Sequence, residues 1–273
     1  ALAKARASAP TLDPAVFDFI DRVASAELCR LHKTYDEATV VDAAQRLQQY
    51  SGPVMAKGLE DTALYRYNRL IALSDVGEKP DRLSSSVASF HDFNSTRQRT
   101  VPLGMLTTSS HDTKRGEDVR ARVVALTLMP EEWRETASRW RELLRADGAP
   151  EIDPNELYYL LQQLLGAWPA EFAEEGEINK AALDVFRERS VAAMTKAIRE
   201  SRAHTSWTAN NEAYERDVTA VIEKALDPKG SFLPDFRRFE RRVGPLGARN
   251  SVIEAALKLT VPGMPDIYQG AEL

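Results

Sequence analysis

The chain has 273 residues, 43% of them hydrophobic and 28% charged, which is enough to bury a sizeable core in one large domain or two smaller ones. Its net charge is −5 with arginines and lysines interspersed among acids, so it lacks the concentrated cationic face that nucleic acid binding needs. No apolar run approaches membrane-spanning length, and one cysteine, Cys29, excludes an internal disulfide and suits a reducing, cytoplasmic compartment.

The first ten residues, ALAKARASAP, contain no apolar signal region and no initiator Met, and the chain stops at Leu273 directly after a strand pattern. Both features lead us to expect a piece of a longer protein. Asp13-Pro14 is an N-cap followed by proline at the first helical position, and 16–32 continues with helical spacing. Residues 36–50 form a second helix, apolar at Val40, Val41, Ala44 and Leu47. Ser51-Gly52 reads as a break, 53–58 (PVMAKG) as a short strand, and 63–73 (ALYRYNRLIAL) as a helix. Gly, Pro, Ser and Asn clusters make 77–100 read as an irregular loop. The next strand candidate is 102–109 (PLGMLTTS), and helix resumes with 117–128.

From Pro130 to about Thr260 the pattern is almost purely helical: 131–146, 156–168 capped by Asp153-Pro154, 179–200, 211–226 and 251–260. A strand pattern returns at 261–270. Three strand–loop–helix units point to parallel βα units. The strand count is too low for a complete eight-stranded barrel of this length. The expected fold is therefore mainly α with a few parallel β-strands: a partial (β/α)8 barrel, its last strands, carrying a large helical insertion. The expected divisions are a barrel-derived βα segment with N-terminal helices at 1–115, a helical insertion subdomain at 116–245, and the last helix with the final strand at 246–273.

In βα barrels the chemistry sits at the C-terminal ends of strands. His111-Asp112 falls at such an end, followed by Lys114, Arg115, Glu117, Asp118 and Arg120. Glu117 and Asp118 would complement the dipole of the following helix. Asp112 has a competing reading as that helix's N-cap. Lys57, Glu60 and Asp61 follow the first strand candidate and would face a site there, or else cap the next helix. Tyr65 and Arg66 could face substrate or the core. Lys114 and Arg115 could bind substrate or pair with acids. Tyr268 and Gln269 end the last strand. Trp133, Trp140, Trp168 and Trp207 could stack on a ligand, although tryptophans in helices are mostly core. His32, His91 and His204 show no metal spacing, so no metal is assigned.

These residues carry a resemblance. SSHDTKRGEDVRAR (109–122) is similar to the fourth conserved region of the α-amylase superfamily, where a His-Asp pair ends the seventh barrel strand. PGMPDIYQGAEL (262–273) resembles the eighth-strand segment, and GPVMAKGLEDTALYRYNRL (52–70) together with HDTKRGEDVR resembles the maltooligosyl trehalose synthase family. The resemblance implies a retaining mechanism, with a nucleophile and an acid/base about 5–5.5 Å apart. In the family these come from strands four and five, upstream of the segment at Pro53. No match for them occurs here; Asp147-Gly148 lies in helical surroundings. The third carboxylate is implied to be Asp112, with His111 donating to a hydroxyl of the same sugar. Lys57, Glu60, Asp61, Tyr65, Lys114, Arg115 and Gln269 are implied to bind substrate.

The implied reaction converts the reducing-end α-1,4 linkage of a maltooligosaccharide into an α,α-1,1 linkage. It needs no cofactor. The implied partners are the maltooligosaccharide, the rest of the same catalytic domain, and a trehalose-releasing hydrolase in the pathway. The alternatives are another α-amylase superfamily hydrolase or glucan transferase, or a non-catalytic helical interaction module.

Overall fold

The computed structural model describes residues 2–32, 34–172 and 176–268. Two compact units are present, Ala1–Leu59 and Glu60–Leu273.

The first unit holds α1 (Leu2–Ser8), α2 (Pro14–Ala24), α3 (Leu28–Leu31) and α4 (Glu37–Met55). Asp13 caps α2 by accepting from the Ala15 amide at 2.8 Å, with Pro14 supplying the fixed φ of the first turn. The helix expected over 16–32 is broken at Ala26, which takes a left-handed φ of 56°. Asp36 caps α4 by accepting from the Thr39 amide and hydroxyl, both at 2.9 Å. Those hydrogen bonds hold its carboxyl below the ordinary aspartate range. Phe17, Leu28, Val40 and Ala44 are the buried apolar side chains of this unit.

The strand expected at 53–58 is not there. α4 runs through Ser51, Gly52 and Pro53 to Met55 and widens into a π-helix over Ala56–Ala63. Pro53 has no amide to donate and crowds the preceding turn, and the chain accommodates it with wider turns instead of ending the helix. The helix expected over 63–73 is also interrupted. It survives as α5 (Leu64–Arg66) and a 3-10 turn at Ile71–Leu73. Between them, side chains replace the missing helical bonds. Gln162, fully buried, accepts from the Ile71 amide at 3.0 Å and donates to the Asn68 carbonyl at 2.9 Å.

The loop expected at 77–100 contains a helix, α6 (Val87–Thr100), capped by Ser86 accepting from the Ser89 amide at 3.1 Å. None of its residues is buried, and its large apolar residues Val87, Phe90 and Phe93 are exposed. α6 leads to β1 (Met105–Leu106), then α7 (Glu117–Val124), α8 (Pro130–Ala146), α9 (Pro154–Ala167), α10 (Lys180–Ser201), α11 (Glu212–Ala225), α12 (Phe232–Thr260) and β2 (Met264–Pro265).

The two strands pair parallel, Met105 with Met264 and Leu106 with Pro265. Met264 donates to the Gly104 carbonyl at 3.0 Å and Asp266 to the Leu106 carbonyl at 2.9 Å. Gly263 makes this possible. Its φ is 140°, and a Cβ there would lie 2.7 Å from Leu106 Cγ. So a mainly α fold with parallel strands is present, with five long helices between two strands that are neighbours in space.

The core of the second unit lies among α7–α12. Trp140, Trp168, Phe232 and Phe236 are wholly buried or nearly so. Trp140 packs against Phe232, Phe236 and Phe239 with ring centroids 5.2–5.5 Å apart. α7 and α12 approach closely because Gly247 has no side chain; a Cβ there would sit 2.8 Å from Arg122 Cα. α12 is far longer than the 251–260 read from periodicity, and it carries Pro245 inside it.

Candidate functional site

The loop of residues 107–116 joins β1 to α7. Ser110 organises its turn: the Ser110 amide donates to Thr113 Oγ1 at 2.7 Å, and Ser110 Oγ accepts from the Asp112 amide at 3.3 Å. His111 and Asp112 sit at the tip. Their side chains are 79% and 71% exposed, with His111 Nε2 3.3 Å from Asp112 Oδ2. Asp112 is not the cap of α7, because the helix starts at Glu117 and its N-cap position is Gly116. That removes the dull reading of this aspartate and leaves a carboxylate presented to solvent with a histidine beside it.

The two cations that follow turn the other way. Lys114 is almost buried, with its Nζ 3.1 Å from Asp61 Oδ1 and 4.9 Å from the Tyr65 ring centre. Asp61 and Tyr65 are thus brought to the base of the His-Asp loop through Lys114. Tyr65 is buried, and that burial pushes its phenol well above the ordinary tyrosine range. Arg115 is 4% exposed; its Nη1 donates to the carbonyls of Ile71 at 3.1 Å and Ser74 at 2.9 Å, and its guanidinium lies over Tyr159 at 5.2 Å.

Glu60 is half-buried within the π-helix. Arg66 donates to the carbonyls of Ser201 at 2.5 Å and Arg202 at 3.2 Å, fixing the end of α10. Lys57 is exposed and belongs to the first unit. Tyr268 is half-buried. Gln269 lies outside the described residues. Trp133, Trp140 and Trp168 are buried in the core, whereas Trp207 is 54% exposed on the α10–α11 connection.

Two features had no signal in the sequence. Asp75, 1% exposed, accepts from the Lys114 amide at 3.0 Å and the Arg115 amide at 3.2 Å. Glu117 and Lys258 pair at 3.0 Å, and Lys258 also donates to Thr108 at 2.8 Å. Burial raises the Glu117 carboxyl, but the hydrogen bonds from Thr108 and Lys258 more than offset this and hold it below the ordinary glutamate range. Both partnerships join residues far apart in the chain, which periodicity does not report. Among the described residues no group of three or more His, Cys, Asp or Glu side chains is arranged to hold a metal ion, and no helix is long and apolar enough to cross a membrane.

The solved structures that share this backbone are enzymes named as glycosyltrehalose or maltooligosyltrehalose synthases. The chain is related in sequence and backbone to a segment of the maltooligosyl trehalose synthases. Over 232 residues it is 38% identical to a protein of that name from Mycobacterium tuberculosis, an alignment covering 85% of this chain and 28% of that protein. The maltooligosyltrehalose synthase of Arthrobacter ramosus superposes with a TM-score of 0.78 at 33% identity, over 99% of this chain and 31% of that one. The DSM5389 glycosyltrehalose synthase superposes with a TM-score of 0.75 at 39% identity, over 97% of this chain and 32% of that one. No family model matches the chain. The chain therefore spans about 30% of the length of the relatives it matches.

Proposed function

We propose that the chain is the C-terminal part of the catalytic region of a retaining intramolecular transglycosylase, one that turns the reducing-end α-1,4 linkage of a maltooligosaccharide into an α,α-1,1 linkage. The observation that carries this reading is the His111-Asp112 pair, exposed on the loop after β1, in a chain 38% identical to a maltooligosyl trehalose synthase. The two paired strands would be the seventh and eighth of a (β/α)8 barrel whose earlier strands lie elsewhere in the longer protein.

Asp112 is assigned to hold the hydroxyls of the sugar at the cleavage point and to offset the positive charge that grows as its ring flattens. Hydrogen bonds of this kind strengthen in the transition state and supply several kcal/mol. His111 donates to a hydroxyl of the same sugar. The nucleophile breaks the C1–O bond and the acid protonates the departing oxygen; both groups are assigned to the longer protein. The freed glucose turns in place, its anomeric hydroxyl attacks C1 of the glycosyl-enzyme, and the base takes that proton. Water competes for the same intermediate, so the acceptor side has to be closed.

Lys114, Asp61 and Tyr65 support the loop from beneath, and Arg115 anchors it to the core. Lys57, Glu60 and Gln269 are kept as substrate contacts on the resemblance of their segments alone. The proposed setting is cytoplasmic, with a maltooligosaccharide as substrate, a trehalose-releasing hydrolase downstream, and neither nucleic acid nor membrane as a partner. A hydrolase or glucan transferase of the α-amylase superfamily is the second reading, and nothing in the comparisons favours it.

The test is Asp112→Asn in the full-length protein, assayed on maltopentaose. The swap is nearly isosteric and removes only the charge. More than about a tenth of the parent kcat, a loss under roughly 1.4 kcal/mol, would sink the transition-state role. The trehalosyl end group among the products separates this reading from hydrolysis and from glucan transfer.

A further inference from the structure

Asp75 lies 37 residues before Asp112 in the chain and has no part in the motifs that point to the site. Its side chain is 1% exposed, and both carboxylate oxygens are committed. Oδ1 accepts from the Lys114 amide at 3.0 Å and from the Val76 amide at 2.7 Å, and Oδ2 accepts from the Arg115 amide at 3.2 Å. The Lys114 and Arg115 amides belong to the loop that presents His111 and Asp112. From the loop side, Arg115 reaches back and donates to the carbonyls of Ile71 and Ser74. Loop and segment therefore hold one another by four hydrogen bonds in both directions, three of them buried and the Lys114 amide bond partly so. The segment is itself fixed to α9 by Gln162.

The tip residues have no comparable restraint. His111 and Asp112 touch each other, and the Asp112 amide meets Ser110 Oγ; otherwise they face solvent. A carboxylate that must meet a developing charge has to be held in place by its support, since displacement of about 1 Å can cost on the order of a hundredfold in rate. The support here enters the loop two residues after Asp112.

We propose that Asp75 is a positioning residue: its buried carboxylate clamps the backbone of Lys114 and Arg115 and so sets where Asp112 stands, without touching the sugar itself. This inference rests on the assignment of Asp112 as a catalytic carboxylate. A negative group is suited to the task because two converging loop amides stabilise it. An asparagine keeps the size but offers one acceptor oxygen and turns an amide donor toward the second N–H.

The experiment is Asp75→Asn in the full-length protein, with kcat, KM and melting temperature measured on maltopentaose beside Asp112→Asn. A second control, Leu144→Ala, lowers stability by emptying buried core space on α8, an element that carries none of the loop's hydrogen-bond partners. Clamping predicts that Asp75→Asn lowers kcat on the order of tenfold or more while KM moves less than about threefold. It also predicts that Leu144→Ala, with an equal or greater drop in melting temperature, keeps its kcat. If Asp75→Asn does not fold, Asp75→Glu, which keeps the charge but shifts its oxygens by one methylene, is read by the same criterion. Retention of more than half of kcat in a folded Asp75 variant, while Asp112→Asn is inactive, overturns the positioning role and leaves the assignment of Asp112 intact. Retention in both overturns the assignment of Asp112 and the inference with it. A fall in kcat matched by Leu144→Ala also overturns it, since general loosening would then account for the effect.

Discussion

Lys258, near the end of α12, places its ammonium 3.0 Å from the Glu117 carboxylate, which opens α7. The two helices flank the paired strands, so this ion pair fastens the frame that carries the His-Asp loop. Thr108 joins it by donating to Glu117 and accepting from Lys258 at 2.8 Å. The Lys258 side chain is 6% exposed and that of Glu117 24%, so the pair is partly screened. Lys258→Met should therefore destabilise the chain by about 1–3 kcal/mol, less than the loss of a fully buried partner. The pH dependence has a definite sign. Glu117 has a folded pKa below the ordinary glutamate value, so its contribution is present above that value and lost as pH falls through the folded pKa. Urea melts at pH 7 and pH 3.5 should show the gap between Lys258→Met and the parent shrinking at the lower pH. A constant gap would mean that Lys258 acts through packing alone.

Glu156 presents the opposite case. It is 4% exposed in α9, accepting from Ser201 Oγ at 3.2 Å and from the Tyr214 hydroxyl. His204 lies over the Tyr214 ring at 4.8 Å and meets Asp153 at 3.1 Å. Burial raises the Glu156 carboxyl above 4.5 despite these donors. A raised folded pKa gives stability that is present below the unfolded value and lost as pH rises through the folded one. Glu156→Gln keeps the volume and an acceptor oxygen, and it cannot ionise. Its melting temperature relative to the parent should rise between pH 4 and pH 8. A difference that stays flat or falls would show that the Tyr214 and Ser201 hydrogen bonds outweigh burial.

The four tryptophans divide by environment. Trp140 is fully buried among Phe232, Phe236 and Phe239, with Nε1 donating to Asp235 at 2.9 Å. Trp140→Ala should cost about 3–5 kcal/mol. Trp207 is 54% exposed; Arg199 lies over its ring at 4.9 Å, and its Nε1 donates to Glu200 at 3.0 Å. Trp207→Ala should change stability by less than about 1 kcal/mol. Chemical denaturation of both variants checks this, and similar losses would contradict the packing assigned here.

What the sequence announced and what it concealed have a common cause. Asp13-Pro14 and Asp153-Pro154 are legible because a cap bonds to residues two or three positions on, within one local pattern. Pro130 likewise opens α8 where it was read. The His111-Asp112 motif was legible from its residues and its place after a strand, and the parallel pairing from the strand–helix alternation. The strand at 53–58 was misread because Ser51-Gly52-Pro53 carries the signals of a break, whereas a widened helix absorbs them. The interrupted helix at 63–73 was misread because Gln162, ninety residues away, supplies its hydrogen bonds. Asp75 and Lys258 act across gaps of 39 to 150 residues, beyond the reach of any local period.

The proposed closure of the acceptor side yields a prediction about products. The helical block of about 116–243 lies between two strands that pair directly, so both of its ends leave the same place in the fold. Arg66 holds the end of α10 by its bonds to Ser201 and Arg202, next in sequence to Tyr65, which packs under Lys114 at the base of the His-Asp loop. The connection of residues 202–211 starts at the carbonyls that Arg66 holds, and it carries Trp207, an exposed aromatic ring. If the block keeps the freed glucose in and water out, shortening this connection should raise glucose release relative to trehalosyl product more than it slows cleavage of the substrate. Trp207→Ala should act in the same direction to a smaller extent. The measurement is the ratio of glucose to trehalosyl product from maltopentaose, in full-length variants confirmed folded by circular dichroism. An unchanged ratio in both variants, with cleavage intact, would reduce the block to scaffolding. It would also separate the lid from the loop, because the roles of Asp112 and Asp75 are read from kcat and not from the fate of the glycosyl intermediate.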